Sequence, residues 1–180
     1  MECGRVTSLV ATAGTRTIRV WDIVTGDEIY CLPKSVDRRI LTLSFGKGDE
    51  GLLIGYDDAS IRCIEFGTTG EKWNHAFKVQ GDTEQLRPHL MSISPDNLQV
   101  IVAYRGKPML AWNLDALDSQ PQVCVFSEDV LSSGTEGLDT SVWKAATPER
   151  IIWRPGLPSV LIMYNYASLF EWDLEDESLR

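Results

Sequence analysis

Histidine is almost absent. His75 and His89 are the only two in 180 residues, and neither has a metal-ligating partner at a helical or hairpin spacing. Both read as loop or strand-end residues. The four cysteines, Cys3, Cys31, Cys63 and Cys124, are scattered with no CxxC spacing, so a zinc or redox motif is not supported. Cys63 falls in a strand pattern, and Cys31 and Cys124 sit among apolar neighbours, which predicts small buried hydrophobes. The opening MECGRVTSLV has no apolar run behind a basic segment, so no signal peptide is visible. No apolar stretch is long enough for a helical membrane span. These absences place the chain in a reducing, cytoplasmic setting without a membrane partner.

Positive charge is also scarce. Lys and Arg number 17 against 26 Asp and Glu, for a net charge of −9. Nucleic-acid binders usually present a basic face, so this balance argues against such a partner. Catalytic signatures are missing too. Gly46-Lys47-Gly48 lacks the spacing and following helix of a phosphate loop. No Gly-x-Ser-x-Gly elbow occurs. Carboxylate pairs such as Asp27-Glu28 and Asp57-Asp58 fit turn chemistry. The sequence names no catalytic residue, no cofactor and no metal ligand.

What is present is short apolar strands and turns. At 43% hydrophobic and 24% charged, the chain has the profile of a globular protein. SLVATAG and IRVWDI read as two half-buried strands joined by a tight turn, and VTGDE closes the unit. The phrase returns three times. The second unit runs RRILTLSF, GLLIGY and SIRCIEF. The third runs LMSIS, LQVIVAY and MLAWNL, and the fourth ERIIW, SVLIMY and SLFEWDL.

Four closing dipeptides align: Trp21-Asp22, Ile64-Glu65, Trp112-Asn113 and Trp172-Asp173. The first two intervals lie near the roughly 40–45-residue period of four-stranded propeller blades. The third is longer and locates an insertion over 127–148, polar and rich in Gly, Ser and Thr, with one helical turn expected around Val142–Ala146. QVCVF before it reads as an outer strand.

The fold expected is all-β. It is a partial propeller arc of about three and a half to four blades of four-stranded antiparallel sheet. The arc is a single domain over 1–180, with units of approximately 1–38, 39–86, 87–148 and 149–180. The first and last units look incomplete, because MECGRVT is short and polar for an opening strand and the last unit stops where an outer strand begins. Self-association through incomplete blades, or a longer parent chain, would close the arc.

These dipeptides, with Ser94-Pro95-Asp96-Asn97 as the turn between the first two strands of a unit, resemble WD-repeat β-propellers. The repeat's Gly-His is absent, with Gly81-Asp82 near its place, and His89 is too close to the turn to serve. The tight-turn Asp is present only as Asp57 or Asp58. The resemblance therefore implies divergent repeats held by apolar packing and without the full His–Ser/Thr–Asp–Trp network. More narrowly, IVAYRGKPMLAWNL and IIWRPGLPSVLIMYNYASLFEWDL resemble the C-terminal repeats of fungal NACHT-type signalling ATPases. That resemblance implies part of a sensor or autoinhibitory module.

Trp at a recurring strand end reads as packing between blades. Trp153 also reads as core, Trp73 as partly exposed, and Trp143 as a loop anchor or a partner-binding aromatic. In a propeller, the turns between second and third strands share a face with the loops between blades. That face would gather Arg16, Asp57, Asp58, Arg105, Lys107, Tyr166 and Trp143 as a candidate protein-binding surface. The leading expectation is a non-catalytic protein-interaction scaffold binding other proteins or other domains of a full-length chain. A propeller-type hydrolase or oxidoreductase is the alternative. A nucleic-acid-binding module ranks below both.

Overall fold

The computed structural model describes residues 2–4, 7–14, 17–33, 38–46, 49–66, 76–77, 87–105, 107–116, 119–124, 148–164, 168–176 and 178–179. These residues form fifteen strands in four antiparallel sheets, with no helix among them. The first sheet takes β1 (Glu2–Cys3), β2 (Leu9–Ala13), β3 (Thr17–Asp22) and β4 (Glu28–Pro33). The second takes β5 (Ile40–Phe45), β6 (Gly51–Tyr56), β7 (Ile61–Glu65) and β8 (Ala76–Phe77). The third takes β9 (Pro88–Ile93), β10 (Gln99–Tyr104), β11 (Leu110–Asn113) and β12 (Gln122–Val123). The fourth takes β13 (Arg150–Trp153), β14 (Ser159–Tyr164) and β15 (Ser168–Asp173). Within every sheet the strands lie in chain order, as short hairpin connections require.

The sheets repeat one another residue by residue. Trp21 pairs with Val10, Ile64 with Leu52, Trp112 with Val100 and Trp172 with Val160. The residue after each closing dipeptide donates its N–H to the carbonyl just before the second strand. The pairs are Ile23 to Ser8, Phe66 to Glu50, Leu114 to Leu98 and Leu174 to Pro158, at 2.8–3.0 Å. The first turn of each unit closes the same way, through Gly4 to Leu9, Gly46 to Gly51, Ser94 to Gln99 and Arg154 to Ser159. The chemistry that bends these turns differs. Asn97 takes φ 63° after Pro95-Asp96, whereas Gly156 takes φ 72° directly after Pro155. Both suit left-handed positions, which a branched side chain would strain.

This repetition corrects the reading of the first unit. Glu2–Cys3 pairs with Val10–Ala11 and supplies the opening strand judged missing. Two residues suffice for one rung, so a polar, short segment was no bar. In the fourth sheet, Trp172 forms a bridge with Leu179, and Asp173 N–H donates to Ser178 O at 2.8 Å. The first sheet has the same geometry, with Trp21 opposite Glu28 and Asp22 N–H donating to Asp27 O at 2.9 Å. Leu179 thus occupies the first rung of an outer strand.

The opening strands line up across the arc, β1 against β5, β5 against β9 and β9 against β13. They form its inner edge. The closing Trp positions lie on third strands, farther out, and not on the inner strand. Three apolar clusters fill the gaps between consecutive sheets. Ile64, Leu52 and Phe45 meet Ala11, Ile18 and Val20 of the first sheet. Trp112 and Val100 meet Leu53, Ile61 and Cys63 of the second. Trp172, Trp153 and Val160 meet Ile101, Ala103 and Ala111 of the third. The closing positions of the second, third and fourth sheets therefore each pack against the preceding sheet. Each fully buried aliphatic side chain contributes about 1.5–3 kcal/mol, so these seams hold the arc together.

Two hydrogen bonds add to the first seam. Thr7 N–H and Oγ1 both donate to buried Asp49 Oδ2, at 2.7 and 2.8 Å. Cys63 and Cys124 are buried, as expected. Cys31 is exposed, contrary to expectation. It lies on β4 opposite Arg19, on the side of the first sheet turned away from the second, which no other described sheet covers.

Candidate protein-binding face

The turns that join second to third strands carry the sequence-predicted face. In the second sheet, Tyr56 N–H donates to Ser60 O at 2.9 Å, and Ala59 takes φ 67° to close the loop Asp57–Ala59. Asp58 Oδ1 accepts Ser60 N–H at 3.0 Å, the local bond that suits Asp to tight turns. The end of the preceding inter-sheet loop lies against this turn. Asp57 N–H donates to Arg39 O at 2.9 Å, and Arg39 N–H donates to Asp57 Oδ1 at 3.0 Å. Arg38 Nε lies 3.2 Å from Asp58 Oδ2, and its guanidinium stands 6.0 Å from the centre of the Tyr56 ring. Burial pushes the Tyr56 hydroxyl up, while the charges of Arg62 and Arg38 and a hydrogen bond with Arg62 oppose that shift.

The third sheet repeats the arrangement. Arg105 N–H donates to Arg87 O at 3.3 Å, and Lys107 N–H to Tyr104 O at 3.5 Å. His89, half-buried on β9, is held below the usual imidazole range, mainly by burial and then by the Arg105 charge. The two turns adjoin. A Cβ on Gly55 would lie 3.0 Å from Pro88 Cγ, so the strand leading into the Asp57 turn touches the residue after Arg87.

The structure thus brings Asp57, Asp58, Arg105 and Lys107 to one end of the arc. Arg16, Tyr166 and Trp143, with the insertion, lie outside the described residues, as do Trp73 and His75. Sequence reasoning missed Arg38, Arg39 and Arg87 on this face. The available signal was DRRI and LRPH, basic residues set directly before two opening strands.

The closing Asp and Asn side chains do structural work at the opposite end. Asp22 Oδ1 accepts Ser8 Oγ–H at 2.6 Å and Val24 N–H at 2.8 Å. These bonds hold its carboxyl below the ordinary carboxylate range, Ser8 contributing most. Asn113 Oδ1 accepts Asp115 N–H at 2.9 Å, and Asp173 Oδ1 accepts Glu175 N–H at 3.0 Å. At that end a cleft of about 510 Å³ opens between the third and fourth sheets, bordered by Asp96, Leu98, Asn113, Arg154, Leu157 and Glu175.

No protein-family model matches the chain. No curated protein matches it either. Among solved structures it is similar to the β-propeller domain of Myceliophteria thermophila Cps50 (Swd1), with a TM-score of 0.68 at 12% identity. The match covers 98% of this chain and 52% of that one, so the chain spans about half the length of that structure. At this identity the likeness shows the fold, a β-propeller arc.

Proposed function

We propose that the chain is a non-catalytic protein–protein interaction scaffold, forming part of a longer regulatory or sensor protein in a reducing, cytoplasmic setting. The observation that carries this reading is the face around Tyr56. There, cations and carboxylates from two neighbouring sheets are presented on turns anchored to buried strands. Binding surfaces of this kind arise where loops sit on a rigid scaffold. The open flanks support the longer-chain reading. Leu169 is 61% exposed, while Ile18, Ile61 and Met109, at the same distance before their closing positions, are at most 2% exposed. Further sheets would cover such a flank. The free thiols of Cys31, Cys63 and Cys124 suit a reducing compartment. The NACHT-type resemblance makes a signalling ATPase the parent protein we favour.

The test is cross-linking mass spectrometry on the chain in a cytosolic extract. Cross-links should cluster at the Tyr56 end. The Arg39→Ala/Arg105→Ala variant should lose them, while a variant at the other end, Leu157→Ala, keeps them. Cross-linked partners indifferent to both changes would refute the proposal.

A further inference from the structure

The chain is acidic overall, yet six of its nine described cations collect at one end. Arg38, Arg39, Arg62, Arg87, Arg105 and Lys107 stand around the Tyr56 and Tyr104 turns. Only Asp57 and Asp58 answer them within those turns. Arg38 is spent on Asp58, and Arg62 on Tyr56. Arg39 and Arg105 are held differently. Their backbones are fixed by the bonds to Asp57 and Arg87, and their side chains are exposed, with no ion pair among the described residues. The His89 imidazole already feels this field, because the Arg105 charge depresses its protonation.

We propose that this end of the arc binds an acidic peptide segment of a partner protein, with Arg39, Arg87, Arg105 and Lys107 as the recognising cations. The inference rests on the reading of this face as protein-binding. It goes further by naming the partner's chemistry. A guanidinium offers a planar fork of donors that matches a carboxylate two bonds at a time. Three such guanidiniums and the Lys107 ammonium, on two adjoining turns, sum to a positive potential over a patch a few residues long. A short acidic segment fits that patch. A nucleic-acid duplex, with one charge per about 1.7 Å of axis, would extend past it over a chain of net charge −9. Arginine backbones pinned by neighbouring strands also lower the ordering cost of binding.

The test measures fluorescence anisotropy of labelled octaglutamate titrated with the 180-residue chain. Octaglutamine serves as the neutral control and a short DNA duplex as the polyanion control. Octaglutamate should bind, and binding should weaken as salt shortens the Debye length below about 8 Å. Octaglutamine should not bind. Arg39→Ala/Arg105→Ala should weaken binding about tenfold, the scale of two exposed ion pairs, and Arg87→Ala/Lys107→Ala should act similarly. Far-UV circular dichroism verifies that each variant keeps its sheets. Octaglutamate affinity unchanged in both double variants, or equal binding of octaglutamine, would overturn the inference. Tighter binding of the duplex would overturn it in favour of nucleic acid. Failure with octaglutamate alongside arginine-dependent cross-links in extract would reject the acidic partner while sparing the scaffold reading. Failure of both would reject the two together.

Discussion

One repeat position should carry two different energetic weights, depending on whether a sheet lies against it. The position three residues before each closing site holds Ile18, Ile61, Met109 and Leu169. Ile61 is 0% exposed, in the seam between the second and third sheets. Replacing it with alanine removes about three methylene equivalents, about 2.4 kcal/mol at ~0.8 kcal/mol each. The unfilled space adds about 1 kcal/mol more, for a total near 3–4 kcal/mol. Leu169 is 61% exposed on the uncovered flank. Its truncation removes the same carbons but loses only the buried fraction of their transfer energy and leaves no enclosed cavity, so about 1 kcal/mol is expected. Urea unfolding followed by far-UV circular dichroism, with linear extrapolation, resolves a difference of this size. Ile61→Ala should lower the unfolding midpoint far more than Leu169→Ala. Equal losses would refute the reasoning, because they would show that Leu169 is covered in solution or that the four positions are not equivalent.

Three further outcomes follow from local geometry. The Asp22 carboxyl should titrate below the ordinary carboxylate range by carbon-13 NMR, and Ser8→Ala should move it upward. Because the folded value is depressed, the associated stability is present above the unfolded carboxylate pKa and disappears as pH falls through the folded one. Iodoacetamide at neutral pH should label Cys31 in the native protein and spare Cys63 and Cys124, whose thiols burial pushes up to about 12; mass spectrometry reads the adducts, and labelling of the buried pair at the rate of Cys31 would contradict the fold. A Cβ at Gly51 would meet the Ile64 carbonyl oxygen at 2.8 Å, so Gly51→Ala should cost about 1–3 kcal/mol in the urea assay, since a paired backbone cannot yield as a side chain can.

The repeat was legible because its cause is local. IRVWDI and SLFEWDL alternate with the period of a strand, and each carries as its last residue but one an Asp whose side-chain oxygen accepts the next turn's N–H. Ile64-Glu65 was placed in the same register without the Trp, and Leu52 opposite Ile64 has the same pairing as Val100 opposite Trp112. Less legible were features set by contacts between sheets. Cys31 resembles a buried thiol by its neighbours, yet it lies on the face of the first sheet turned away from the second sheet and is exposed. Arg39 and Arg87 look like ordinary loop charges until Asp57 and Arg105 are seen to bond their backbones, and Arg38 until its side chain is seen to reach Asp58. The Tyr56 and Tyr104 turns lie far apart in sequence, and only the Gly55–Pro88 approach makes them one surface.

The uncovered flank of the fourth sheet differs in kind from the seams inside the arc. One residue before the closing position, the first three sheets bury Val20, Cys63 and Ala111. The fourth places Glu171 there. Arg154 pairs with its carboxylate, and Ser159 Oγ–H donates to the same oxygen at 3.0 Å. Around it stand Ile152, Leu161, Met163 and Leu169, brought onto one side of the sheet by the pairings Ile152–Leu161, Leu161–Glu171 and Met163–Leu169. A wholly apolar sheet laid over this flank would strip water from the ion pair, and the desolvation would offset much of the area buried. Anything laid over Leu169 would therefore have to keep Arg154 and Glu171 wet or offer them polar partners. A charge set into an otherwise apolar sheet face also discourages indiscriminate stacking. By this chemistry any sheet laid on the fourth flank would have to accommodate the Arg154–Glu171 pair.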